Sequence, residues 1–279
     1  MDAEELLVRY AAGIRDFREV TLAGANLSGQ NLREANLRRA NLSKADLRGA
    51  DLGAVNLREA NLFGADLTQA ILSETNLIGA DLTHANLNEA DLTESGLRGT
   101  KLNEANLNGA NLAGANLGEA SLNKANLREA NLNEANLSRA KLIAADLTRA
   151  ILEGANFTNA ILNEAILEGA NLIGALFNGA SLEEADLRDA DLSRARMMGA
   201  NLINATLTRT SIRGANLSWA SLRGANLRGA NLYRARLSWT NLSETNLTEA
   251  VLINASMTQT NLYNADLTGA IMPNASTHE

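Results

Sequence analysis

The sequence predicts an all-β fold, a solenoid of stacked four-sided coils. Three observations carry the prediction. Leu or a close substitute recurs every five residues from Phe17 to Met272 with no slip of phase, and 45 of these 52 central positions are Leu. Ala stands two residues before the centre in 41 of the 52 units. The departures from Leu are ordered by twenties: Phe17, Phe157, Phe177, Met197 and Met257 share one class, and Ile212 and Met272 share one other.

A period of five fits neither standard element. On an α-helix it advances the side chain by a net angle of about 140° per step, which scatters Leu around the axis. On a flat strand an odd period puts alternate Leu on opposite faces. The chain must therefore turn within every five residues so that each Leu points inward. Ala is small enough for the inner corner. Such coils bury their apolar side chains only by stacking on one another. The spacing by twenty predicts four units per coil, large side chains over large ones, and about 13 coils. At ~4.8 Å between neighbouring strands, the expected rod is roughly 60 Å long.

Runs such as Ala35-Asn36-Leu37-Arg38-Arg39, Ala125-Asn126-Leu127-Arg128-Glu129 and Ala225-Asn226-Leu227-Arg228-Gly229 repeat an Ala-(Asn/Asp)-Leu-X-X pattern. In this the chain resembles the pentapeptide-repeat family over about residues 15–275. The resemblance implies a right-handed quadrilateral β-helix. The opening run from Glu4 to Gly13 also resembles the short N-terminal helix of cyanobacterial members.

The expected organisation is an N-terminal helical cap at 1–14, a single β-helix at 15–273 and a polar tail at 274–279. Residues 2–12 read as a helix in their own right. Asp2 can cap it, Glu4 and Glu5 suit its positive end, and Gly13 suits its exit. Leu6, Leu7, Tyr10 and Ala11 make an apolar side expected to lid the first coil. At the other end Pro273 withholds a backbone donor and blunts an open edge. The last coil is left thinly covered, and two chains are expected to meet tail to tail there.

Composition narrows the function. The chain has no Cys, which excludes disulfides and thiolate metal sites. No run approaches the ~18 apolar residues of a membrane span, and the acidic start is no secretory leader, so a cytoplasmic protein is expected. His84 and His278 stand apart from one another, without metal-ligand or nucleophile–base spacing. Carboxylates such as Asp91 and Glu94 occupy outward repeat positions, where a convex exterior offers no pocket. No catalytic residue, metal site or cofactor is expected.

Charge placement is more informative. Residues 66–191 carry a net charge of −11, whereas residues 192–243 hold eight Arg and no acid. Trp219, Tyr233, Trp239 and Tyr263 lie in or near that basic zone. Arg beside Trp and Tyr is the composition of binding hot spots. The candidate partner surface is therefore Arg196, Trp219, Tyr233, Arg234, Arg236 and Trp239. A second reading stays open: the two Trp stack as an exterior ladder and the Arg only solubilise.

A non-enzymatic scaffold or regulatory binding protein is the first functional expectation, with a protein partner, no membrane and no nucleic acid. The resemblance permits regulation of cell differentiation, as in some cyanobacterial relatives. The alternative is DNA mimicry, by which some family members bind type II topoisomerases. DNA carries one charge per ~1.7 Å, so the ~30 Å of the acidic zone would need roughly 18 charges. The zone supplies a net −11 over four sides and is followed at once by basic residues.

Overall fold

The structure is a computed structural model that describes residues 1–278. It divides into two compact units, Met1–Lys141 and Leu142–Glu279. The expected tail at 274–279 ends in a residue that lies outside the described residues.

Both units are built from the same five-residue turn. The N–H three residues after each centre donates to the central carbonyl, as from Ala25 to Leu22 at 3.0 Å. That closes a β-turn whose third residue has positive φ in every repeat from Glu19 to Gly269. A type II turn has this requirement, and Gly meets it without cost. Gly holds 17 of these positions, but the other 34 carry side chains, many of them Glu or Arg. Each costs about 1–2 kcal/mol in this region. The stacked backbone opposes that cost. The strained residue donates its own N–H to the next coil, as from Glu19 to Arg38 at 2.9 Å.

Hydrogen bonds between coils set the register. Leu22 N–H donates to the Asn41 carbonyl at 2.7 Å, and Asn41 N–H donates back to Val20 at 2.8 Å. The result is a parallel bridge between residues twenty apart. In the first unit these run from Asp16↔Asn36 to Ser121↔Lys141, and in the second from Asp146↔Ile166 to Val251↔Ile271. Twenty residues per coil and four sides are thus observed in each unit.

The interior follows the repeat. Central Leu and corner Ala are buried throughout, apart from positions near the two chain ends. Where Thr replaces Ala the hydroxyl is not stranded. Thr75 donates to the Leu52 carbonyl at 2.7 Å, Thr100 to Leu77 at 2.8 Å and Thr210 to Leu187 at 2.7 Å. These bonds meet the rule that buried polar groups are paired. Large side chains stack on large ones as the spacing predicts: the Phe157 and Phe177 rings lie parallel at 4.7 Å.

Where Asn or Asp precedes the centre, it has a separate task. The N–H just after the centre is used by neither the turn nor the ladder. The Asn side chain accepts it, as Asn26 does from Ser28 at 3.0 Å. This is an Asx turn. The amides also link coils, with Asn126 donating to Asn106 at 3.0 Å and Asn106 to Asn86 at 2.9 Å.

Helix α1 spans Ala3–Ala11, one residue shorter at each end than expected. The Asp2 side chain caps it by accepting from Glu5 N–H at 2.9 Å. At its exit Gly13 takes φ 90° while Gly13 N–H reaches Tyr10 and Ile14 N–H reaches Arg9. That pair of bonds is a Schellman motif. Of the expected lid residues, Leu6 is fully buried, Leu7 and Tyr10 are half-buried, and Ala11 is exposed. Ala11 sits in the last turn, where the chain is already leaving for the first coil. The Tyr10 hydroxyl instead anchors the helix by donating to the Arg33 carbonyl at 3.0 Å.

The tail does more than expected. Residue 277 pairs antiparallel with Ile271, and Met272 N–H donates to Ser276 at 2.8 Å. The centres Met257, Leu262, Leu267 and Met272 are nevertheless only half-buried.

The turn geometry predicts opposite signs for one chemical change. Ala54 is exposed at φ 55°, so Ala54→Gly should raise stability by up to about 1 kcal/mol. Ala110 is a buried corner, and Ala110→Gly should lower it by about 1 kcal/mol. Urea denaturation of the two variants decides, and equal signs would refute the assignment of strain.

Candidate partner surface

All six candidate residues lie in the unit Leu142–Glu279. The bridges Asp191↔Ser211 and Ser211↔Asn231 stack the repeats 191–195, 211–215 and 231–235 on one side. The bridges Arg196↔Asn216 and Asn216↔Arg236 stack 196–200, 216–220 and 236–240 on the next. The structure therefore divides the candidates. Arg196, Trp219, Arg236 and Trp239 share one side, while Tyr233 and Arg234 stand around the corner on the adjacent one.

The Trp pair is a ladder and a surface at once. The two rings are parallel within 1° at 5.0 Å. Yet Trp219 is 61% exposed and Trp239 52% exposed. Both occupy the positive-φ turn position, at 65° and 61°, which directs the indoles outward. Arg196 and Arg236 are exposed in the bridge column of the same side.

On the adjacent side two cations lie over the Tyr233 ring. The Arg213 guanidinium lies 5.2 Å from its ring centre and the Arg234 guanidinium 5.0 Å. The negative ring face attracts each of them. Arg213 and Arg194 join this cluster although linear reading placed them only in the general basic zone. The signal was present: Arg213 and Tyr233 are twenty apart, one coil step.

Ion pairing separates the eight Arg of the zone by side. Arg209 pairs with Asp189 at 2.6 Å, Arg223 with Glu244 at 3.7 Å and Arg228 with Glu249 at 3.4 Å. All three belong to the other two sides. Arg194, Arg196, Arg213, Arg234 and Arg236 pair with no acid among the described residues. The five free guanidinia and the exposed aromatics Trp219 and Trp239, with Tyr233, thus occupy two neighbouring sides of one coil stack.

The carboxylates elsewhere behave as structural partners. Hydrogen bonds from Arg209 hold Asp189 below the usual carboxylate range. Burial pushes Asp186 up, but the hydrogen bonds and charge of Arg188 outweigh it and lower the carboxyl. Asp91 accepts from Thr93 and Asn111 within the Asx ladder. His84 is less solitary than the sequence suggests: its Nδ1 lies 3.6 Å from Glu104 and its ring edge meets Phe63. Among the described residues no His, Cys, Asp and Glu group could hold a metal ion. No helix among them is long and apolar enough to cross a membrane.

Stacked four-sided coils with a sealed Leu interior and an outer skin of ladders define a repeat protein of the β-helix class. The family model for pentapeptide repeats matches residues 16–53 and, in overlapping copies, 60–274. The chain belongs to the pentapeptide-repeat family, whose repeat fold is a right-handed β-helix. Among solved structures it is similar to HetL of Nostoc sp. strain PCC 7120, described as involved in heterocyst differentiation regulation. The two are 38% identical over 100% of both chains, with a TM-score of 0.33. A second pentapeptide-repeat protein of Nostoc, alr5209, is 34% identical over 45% of this chain and 80% of its own, with a TM-score of 0.19. QnrB1, described as a plasmid-mediated fluoroquinolone resistance protein, is 15% identical over 68% of this chain and 88% of its own, with a TM-score of 0.45. Comparison with curated proteins gave no match.

Asp186 and Asp189 both have lowered carboxyls in the folded state. The unfolded chain therefore binds more protons in the acid range, and the stability these pairs add is present above about pH 4 and lost as pH falls through the folded values. We predict that the urea midpoint drops steadily below about pH 4 and that Asp189→Asn flattens part of the slope. An unchanged slope in that variant would remove Asp189 from the account.

Proposed function

We propose that this protein is a non-enzymatic interaction solenoid, a scaffold or regulatory binding protein whose partner surface lies on the two adjacent sides of residues 191–240. The division of the Arg residues carries the reading. Three are neutralised on two sides, and five are left free beside Trp219, Trp239 and Tyr233 on the others. Exposed guanidinium and aromatic groups at close quarters supply cation–π, stacking and bidentate contacts to a protein partner. An acidic partner fits the sign of the charge. The protein is proposed to act in the cytoplasm.

A regulatory role, of the kind in the description of HetL, extends the proposal, with whole-length sequence identity as its support. Tail-to-tail pairing is proposed as well, since Met257, Leu262, Leu267 and Met272 are half-exposed core residues. Light scattering at high concentration tests that pairing, which a monomer mass would exclude.

Two measurements separate this reading from DNA mimicry. In affinity capture, the variant carrying Trp219→Ala, Arg236→Ala and Trp239→Ala should lose partners that the unaltered chain retains, by roughly tenfold or more. Unchanged capture would sink the proposed surface. In a gyrase supercoiling assay the purified protein should leave activity intact, whereas inhibition at stoichiometric concentration would favour the mimic.

A further inference from the structure

The side that carries Tyr233 holds a notch with properties of its own. Its volume is about 510 Å³, and Arg194, Arg213, Arg234, Tyr233, Gly214 and Asp191 contribute to its lining. Arg194 and Arg234 occupy the same turn position two coils apart, about 9–10 Å along the stack. Gly214 lies between them at φ 65°, and a Cβ built there would meet nothing within 4 Å. The notch is therefore an open slot flanked along the stack by the turn residues Arg194 and Arg234, with Arg213 in its lining.

Its electrostatics are unbalanced. Arg213 and Arg234 crowd one Tyr ring with no acid paired to either among the described residues. Asp191 is the one acid in the lining, and its Oδ1 already accepts from Ser193 N–H at 2.9 Å. A backbone donor is free as well. Where the bridge residue is Asn or Asp, its side chain accepts the N–H that follows the centre, but in this unit Ser211 stands in that place. The Ser211 hydroxyl meets Ser193 Oγ at 2.9 Å, which leaves the Arg213 N–H without an acceptor among the described residues.

We propose that the notch over Gly214, walled by Arg194, Arg213 and Arg234, docks an acidic segment of a partner protein, with one carboxylate seated over Gly214. Carboxylate oxygens match the guanidinium fork and the single free N–H. A phosphate nest would need several converging backbone donors. The N–H groups of Arg194, Gly214 and Arg234 are instead spent on the next coil, at 2.8, 2.9 and 3.0 Å. The slot also exceeds a lone ion in size, and Ile173 and Tyr233 give it apolar wall for the stem of a glutamate side chain. The inference rests on the reading of this chain as a protein-binding solenoid and narrows it to one site.

Calorimetric titration of the full chain at low salt tests it, with a capped tetraglutamate peptide as one probe and inorganic phosphate as the other. The peptide should bind more tightly than phosphate, and Arg213→Ala should weaken it roughly 10- to 100-fold. Gly214→Arg is the discriminating variant. It adds a positive charge yet fills the slot, at a turn position that already accepts Arg194 and Arg234. A shaped notch loses the peptide by about tenfold or more, whereas diffuse attraction holds it equally or more tightly and overturns the proposal. Tighter phosphate binding, or no peptide binding to the unaltered chain, overturns it too. Trp219→Ala with Trp239→Ala should leave affinity within about twofold, because the Trp side is separate. Loss in that double variant with retention in Gly214→Arg would reject the notch while sustaining the wider partner surface. Thermal melts confirm that each variant is folded.

Discussion

The fold depends on one constraint: a left-handed residue in every five, held there by its neighbours above and below. The turn at each unit would be unfavourable in an isolated segment, because 34 of its positive-φ positions are not Gly. What stabilises it is the ladder, in which the strained residue, the centre and the residue before it all bond to adjoining coils. Each turn is then local in geometry and non-local in energy. This is the behaviour of repeat architectures, where the interface between repeats carries stability that no single repeat has. It also explains why the interior tolerates so little variety. Leu, Ala and a few hydrogen-bonded Thr fill a space whose dimensions the backbone has already fixed.

That constraint assigns function to the outside. The centre and corner of each unit are sealed, and the Asn or Asp is occupied with the Asx turn. The two turn residues are left to vary, together with those bridge positions where another residue replaces Asn. Trp219, Trp239, Arg194 and Arg234 are turn residues with positive φ; Arg213 and Tyr233 stand one place earlier; Arg196 and Arg236 stand where Asn would be. Replacing Asn by Arg at 196 and 236, or by Ser at 211, gives up local backbone bonding.

Much of this was legible from residue spacing. A period of five with no slip implies the coil, and the Phe, Met and Trp at intervals of twenty imply four sides. The Phe157–Phe177 and Trp219–Trp239 stacks follow directly from that arithmetic. Other features were hidden. The purpose of Asn and Asp is a matter of which backbone N–H lacks a partner, and that depends on the ladder. Ala11 was counted on the helix lid because spacing alone cannot show where the chain departs. Position along the chain places all eight Arg in one basic zone, and it does not show that Arg209, Arg223 and Arg228 are paired whereas Arg196 and Arg236 are not. Whether an Arg is neutralised depends on the residue a coil away, as with Arg209 and Asp189, which are twenty apart.

Surface ion pairs add little stability, with a median near 0–1 kcal/mol, so the fold has small reason to pair every exposed Arg. Their distribution by side is therefore more informative than their number. Here the pairing residues Asp189, Glu244 and Glu249 serve only the sides away from the aromatics. The consequence is a field that is largely cancelled on two sides and positive on the other two. The potential of an exposed charge falls off over about 8–10 Å at physiological salt, a distance comparable to two coil steps. Neutral and cationic sides can consequently present different surfaces to an approaching partner, even though they belong to the same coils. The orientation of a bound protein around the coil stack is then set by which Arg lack acids, and its position along the stack by where Trp219, Tyr233 and Trp239 project.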